Sequence, residues 1–235
     1  MAMNNIEGLI SFGLTRQEST AYEALLIHGP MNGYELAKRT GISRSNAYTS
    51  LDRLVERGAA YLIEGDSLQY TPVNLEDFCD NKIRKLEDYK KKLLETMPKK
   101  RDDPGGYITI RGRSQITDKM KSMIKNSDQR VYISAPANVI EGIYSEIAQA
   151  IERGVKMVII SQSNLEILGA IIYLTSKAQS SIRLIADSQN VLTGDIDEED
   201  STCLYSNKKN LVELMKESLR NEIDIIEMKR SAKEK

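Results

Sequence analysis

Residues 13–29, GLTRQESTAYEALLIHG, and residues 36–58, LAKRTGISRSNAYTSLDRLVERG, decide the fold of the first third of the chain. Thr15, with Glu18 three positions on, forms a capping box, in which hydroxyl and carboxylate accept each other's orphan backbone amides. Ala21, Tyr22, Leu25 and Leu26 follow at helical spacing and predict an amphipathic helix to about Ile27, ended by Gly29-Pro30. Asn32 with Glu35 starts a short second helix that closes at Gly41, a residue suited to the left-handed cap. Ser43 caps a third helix whose apolar side reads Ala47, Leu51, Leu54 and Val55, with Ile42 before it and Gly58 after it. Residues 60–63 and 68–71 then flank Glu64-Gly65-Asp66-Ser67, which reads as a β-hairpin. Helix, short helix, turn, longer helix and hairpin in this order predict a winged helix-turn-helix over residues 1–73.

The chain has 235 residues, room for two domains with separate cores, and its 40% hydrophobic and 29% charged residues describe a globular protein. Lys and Arg number 33 against 34 Asp and Glu, so no basic field of the whole chain points to nucleic acid. The positive charge is local. Residues 38–57 hold Lys38, Arg39, Arg44, Arg53 and Arg57 against Asp52 and Glu56, a net +3. Cys79 and Cys203 have neither disulfide nor zinc spacing, Glu7 stands where a secretory signal would be basic, and residues 165–174 are too short to span a bilayer. These features predict a soluble cytoplasmic protein.

Beyond Pro72, Leu75, Cys79, Leu86, Tyr89 and Leu93 follow a rough heptad interrupted by Lys82, which predicts a dimerisation helix over residues 74–98. Charged residues closing on Pro-Gly-Gly make 99–106 a linker. Residues 107–235 alternate strand and helix signals, including a helix over 165–174, and the run of Val155 to Ile160 suits a sheet covered on both faces. The fold class is therefore α/β, an α+β reading domain followed by a helix and an α/β domain.

On the third helix Arg44, Ser45, Tyr48, Thr49 and Asp52 project away from the apolar stripe. Ser45, Tyr48 and Thr49 are the candidates for reading bases, and Lys38, Arg39, Arg44 and Arg53 for meeting phosphates. Glu64 and Asp66 at the hairpin tip would repel phosphate and predict a minor role for the wing. His28, the only histidine, has no neighbouring nucleophile pattern. Cys203 reads as a small buried hydrophobe rather than a redox sensor. Asp195, Asp197, Glu198, Glu199 and Asp200 lack a calcium-loop spacing, so no metal and no cofactor is assigned.

The quoted runs, within residues 9–71, resemble the TrmB family of transcription regulators, and AIERGVKMVII (150–160) with IRLIADSQNVLTGD (182–195) resembles the phospholipase D-like domain of that family. The resemblance implies a homodimer bound to double-stranded DNA, controlled by a small-molecule effector such as a saccharide, with residues 107–235 as the sensing domain. A phospholipase D-type site needs a His, a Lys two residues on and an Asp five further. Aligned on Asp187, the first two positions hold Ser180 and Ile182, so the resemblance implies a binding protein and not an enzyme. Ser134, Ser161, Gln162 and Asp187 end or follow apolar strands, where open α/β sheets collect ligands, and are the candidate effector contacts. The rival readings are a constitutive chromatin-type DNA binder and a phosphodiesterase.

Overall fold

The computed structural model describes residues 4–65, 67–98, 106–177, 179–196 and 200–233. They form two compact units, Met1–Lys99 and Lys100–Lys235.

In the first unit a short helix α1 (Asn5–Ser11), capped by Asn4, precedes the three helices expected: α2 (Arg16–His28), α3 (Gly33–Thr40) and α4 (Arg44–Glu56). Both capping boxes are made, Thr15 with Glu18 and Asn32 with Glu35, and the Ser43 hydroxyl accepts the Asn46 amide. Gly41 takes φ +75°, a conformation that disfavours a Cβ. The hairpin is β1 (Ala60–Ile63) paired antiparallel with β2 (Gln69–Pro72). Its Tyr70 reaches back into the helices, bridging Met31 through backbone hydrogen bonds. Tyr22, Leu25, Leu36, Leu51, Leu54 and Tyr70 fill the core, while Val55 is only partly buried. The Tyr22 hydroxyl donates to the Val73 carbonyl at 2.8 Å, and burial, followed by the nearby Cys79, pushes its pKa up to about 12.

The unit closes with α5 (Leu75–Thr96), whose first turns belong to this core. Phe78 is buried with its ring centroid 5.6 Å from Tyr22 and 6.4 Å from Phe12, a burial that contributes about 1.5–3 kcal/mol. The heptad reading passes over Phe78 and makes Lys82 a break in an exposed seam. Lys82 instead lies against Gly13, with its Nζ 3.8 Å from where a Cβ there would stand. The linker expected over 99–106 lies outside the described residues except for Gly106.

The second unit is a seven-stranded mixed sheet in the order β3-β9-β8-β7-β4-β5-β6. Its strands are β3 (Tyr107–Arg111), β4 (Arg130–Ser134), β5 (Lys156–Ser161), β6 (Ile171–Leu174), β7 (Ser181–Ala186), β8 (Asn190–Asp195) and β9 (Thr202–Ser206). Helices α6 (Arg113–Lys125) and α8 (Tyr144–Glu152) bury Ile116, Met120, Ile124 and Ile147 on one face, with the short α7 (Ala137–Glu141) before α8. The long α9 (Lys209–Lys233) lays Val212, Met215 and Leu219 on the other, against Ile160, Ile185 and Val191. Strand β5 thus sends Ile159 to one core and Ile160 to the other, which accounts for its uninterrupted apolar run.

The helix expected over 165–174 is absent. Ile171–Leu174 instead forms the edge strand β6, paired parallel with β5. Gly169 at φ +84° stands where a Cβ would meet Ile151 Cγ2 at 2.7 Å, which breaks any helix, and the Ile-Ile-Tyr run that follows favours the pleated ladder. Among the described residues no helix is long and apolar enough to cross a membrane.

Candidate functional site

In the first unit α4 is held by its buried face and presents the other. Ala47, Leu51 and Leu54 are buried, whereas Arg44, Ser45, Tyr48, Thr49 and Arg53 are exposed, together with Lys38 and Arg39 on α3. Sequence reasoning missed two residues that shape this face. Tyr34 lies beneath Arg44, whose guanidinium carbon sits 4.6 Å from the ring centroid, a cation–π contact that fixes the arginine's direction. Gly33 admits the Tyr48 ring, since a Cβ at Gly33 would lie 2.6 Å from its atoms. The Thr49 hydroxyl donates to the Ser45 carbonyl at 2.9 Å.

Two side chains counted with this face do other work. Asp52 accepts a hydrogen bond from the Tyr70 hydroxyl, tying α4 to the wing, and burial followed by this bond raises the phenol pKa to about 12. Arg57 turns inward, its Nε 2.9 Å from Oε2 of the buried Glu18 and its Nη1 donating to the Gly13 carbonyl at 2.9 Å. The local positive charge that can face a partner is therefore carried by Lys38, Arg39, Arg44 and Arg53. On the wing Glu64 is exposed, and Asp66 lies outside the described residues.

Along α5, Leu75 is partly exposed and Cys79 packs against the core, burial raising its thiol pKa ahead of the charge of Asp80. Leu86, Tyr89 and Leu93 are 62%, 60% and 55% exposed, and Ile83, Leu94 and Met97 join them. The apolar stripe is thus real over the distal turns, while its proximal end is part of the fold.

The four expected effector contacts do not come together. Ser134 and Ser161 end adjacent strands but face opposite sides, because Ser134 is in register with Ile160 and successive side chains alternate. Ser134 is buried and accepts from Gln179 Nε2 at 3.0 Å and Arg183 Nη2 at 2.8 Å. Ser161 is buried and Gln162 exposed. Asp187 lies at the opposite end of the sheet, where β7 meets the start of its antiparallel neighbour β4. Its carboxylate accepts the backbone amides of Asp128, Gln129 and Arg130, each at 2.9 Å. Burial alone would raise its pKa, but these three bonds and the charge of Arg130 hold it below its ordinary value. Asp187 is a structural staple.

The sequence reading misses a groove of about 1000 Å³ on the α9 face, lined by Tyr173, Thr175, Arg183, Ser218, Asn221 and Glu222 among others. Arg183 pairs with Glu222 and with Ser134 at its floor. No signal in the sequence joins β7 to α9. Elsewhere, Ile182, at the lysine position of the phospholipase D pattern, is fully buried, and Ser180 is exposed. His28 is exposed at the end of α2. Burial, then Asp195, pushes the Cys203 thiol pKa up to about 11, which disfavours the reactive thiolate. The acidic residues 197–199 lie outside the described residues, and no group of three or more His, Cys, Asp or Glu that could hold a metal occurs among the described ones.

Two family models match: "Sugar-specific transcriptional regulator TrmB" over residues 9–76, and "Transcriptional regulator TrmB, EBD N-terminal subdomain" over residues 106–221. The uncharacterized protein YrhO of Bacillus subtilis is 33% identical over 177 residues, covering 74% of this chain and 64% of YrhO. The sugar-sensing transcriptional regulator TrmBL1 of Pyrococcus furiosus is 28% identical over 141 residues, covering 58% of this chain and 41% of TrmBL1. The chain therefore spans less than two thirds of each of these relatives. Among solved structures, TrmBL2, described as an archaeal chromatin protein, aligns with a TM-score of 0.45 and 20% identity over 92% of this chain and 96% of its own.

Proposed function

Because the chain belongs to the TrmB family of transcriptional regulators, models of which match within both of its units, we propose that it is a dimeric, sequence-specific DNA-binding regulator controlled by a small-molecule effector. The observation that carries this reading is the exposed face of α4, where Ser45, Tyr48 and Thr49 stand between Arg44 and Arg53 over a buried Ala47-Leu51-Leu54 side. An α-helix fits the major groove, its middle side chains meet base edges, and flanking cations meet phosphates. Two copies pair through Leu86, Tyr89 and Leu93 of α5, so that their reading helices meet half-sites about 34 Å apart or a multiple of that. The second unit receives the effector, and the family's description makes a saccharide the class to test. Phosphodiester hydrolysis is not part of the reading, since an isoleucine in the apolar core stands where a phosphate-binding lysine would be needed.

Footprinting against genomic fragments, with light scattering, tests this. Protection of two defined half-sites by a dimer supports it. Broad protection without sequence preference would favour an architectural DNA binder instead. The Leu86→Asp, Leu93→Asp variant is expected to lose both dimer mass and operator binding, because two carboxylates desolvated in a short apolar seam cost more than the seam supplies. Unchanged mass and affinity would exclude α5 as the pairing element.

A further inference from the structure

We infer that the outer face of α9 is a second pairing surface, on which the α9 of another copy of this chain lies parallel and in register. The inner face of the helix is spent on the sheet, where Val212, Met215 and Leu219 are buried and Ile223 and Ile226 partly so. A helix that covers one side of a sheet needs only polar residues outside. Here Leu214, Ser218, Asn221, Ile225 and Met228 follow one another at spacings of 4, 3, 4 and 3 along the exposed side. Leu214, Ile225 and Met228 are 61%, 52% and 71% exposed. That spacing is the heptad seam of paired helices, and a helix apolar along two stripes is covered on both.

The stripe itself points to what covers it. Ser218 and Ile225 take the a positions of the heptad, and Leu214, Asn221 and Met228 the d positions. A parallel copy then sets aliphatic layers against each other at both ends and polar layers between them, where hydroxyl and amide groups bond across the seam. A β-branched residue at a with leucine at d suits two parallel strands. Charge decides the direction. In a parallel pair a g side chain meets the e side chain five residues on in the other helix, which brings the exposed Asp224 to the exposed Lys229 of the second copy, and the reverse by symmetry. One heptad earlier Glu217 meets Glu222, a carboxylate that Arg183 already pairs. An antiparallel alignment that still covers Leu214 sets Asp224 against Glu217 or against another Asp224, which repel. With three large aliphatic side chains per copy the seam is small, of the class below about 1,200 Å², so the pairing is weak and rises with concentration.

The contact is read apart from α5 in the full-length Leu86→Asp, Leu93→Asp variant. Sedimentation from about 1 µM to about 1 mM is expected to carry it from one copy to two. Adding Leu214→Glu and Ile225→Glu, both at exposed positions, is expected to weaken that association at least about a hundredfold, with circular dichroism confirming the fold. Asp224→Lys is expected to weaken it about tenfold, and Asp224→Lys with Lys229→Asp to restore it. Leu214→Cys and Met228→Cys, each alone, are expected to form a disulfide between copies on oxidation where the wild type forms none, since only a parallel seam brings a residue to its own counterpart. A mass of one copy throughout, or a rise in mass that the two glutamates leave unchanged, overturns the inference and leaves the α5 reading standing. Crosslinking only when Leu214→Cys and Ile225→Cys are combined would make the pair antiparallel and overturn it, as would a charge swap that restores nothing. A mass of two copies when dilute, lost only with the two glutamates, would support α9 as a pairing surface and remove α5 from that role.

Discussion

Replacing Arg57 by alanine removes the cation from the one buried ion pair described in the N-terminal unit. Glu18 is 1% exposed, and its Oε2 accepts both the Thr15 amide at 2.8 Å and Arg57 Nε at 2.9 Å, while Oε1 has no partner. Removing one member of a buried pair typically costs about 3–5 kcal/mol, because the other charge is left desolvated. Arg57 is 36% exposed, so water enters the vacated space and lowers the expected cost to about 2–3 kcal/mol, including the lost bond to the Gly13 carbonyl. At about 4–8 °C per kcal/mol for a domain of this size, melting of the unit falls by about 10–20 °C. Glu18→Gln is milder, about 1 kcal/mol, because the amide oxygen still accepts from Arg57. Calorimetric melting of the three proteins, followed by DNA titration well below the lower transition, separates stability from binding. A loss under about 0.5 kcal/mol, ordinary for a surface site, would refute the buried-pair argument. So would an operator salt slope flattened by about one unit, which would make Arg57 a phosphate contact after all.

Arg44→Ala and Arg53→Ala are each expected to weaken specific and random DNA alike and to flatten the salt slope by about one unit, read in titrations at several salt concentrations. Gly33→Ala, by driving a methyl into the Tyr48 ring, is expected to relax sequence preference much as Tyr48→Ala does, measured by selection from a random operator pool, with stability lowered by no more than about 1–3 kcal/mol. Asp187→Asn is expected to destabilise the C-terminal unit by about 1–3 kcal/mol at neutral pH, since an amide oxygen replaces a carboxylate that serves three backbone donors. Because the folded carboxyl lies below its ordinary value of 3.8, its stabilisation is complete above that value and is lost as pH falls through the folded pKa. Acid melts of the wild type and of the Asp187→Asn variant should therefore converge below about pH 4, and parallel curves would exclude this linkage.

The reading unit was legible because its signals are local. Caps at Thr15, Asn32 and Ser43 and the stripe of Ala47, Leu51 and Leu54 lie within a few residues of the groups they serve, and all appear as expected. What failed depends on pairings distant in sequence. Arg57 finds Glu18 from 39 positions away and Arg183 finds Glu222 from 39 positions away, so neither partner is visible in any local pattern. Residues 165–174 show the same limit for secondary structure, since a short apolar run takes the form its neighbour offers, here the open edge of β5. The four residues expected to meet an effector do not lie together, because position at a strand end says neither which end of the sheet nor which face. Asp187 and Ser161 are separated from Ser134 on those two counts in turn.

The division of α5 between a rooted proximal end and a bare distal end gives it the mechanics of a lever. Phe78 and Lys82 clamp the helix to the reading unit, and its 22 residues extend about 33 Å at 1.5 Å per residue. If two copies pair at the far tip, as proposed, a tilt of only about 5° between two such arms would displace a recognition helix by about 3 Å. Major-groove register tolerates little of that, since base-edge hydrogen bonds fail beyond a few tenths of an ångström of misplacement. In the proposed dimer, binding energy spent near the distal turns would be magnified into position at the DNA, and a small reorientation there would suffice to move the molecule between gripping and releasing its site.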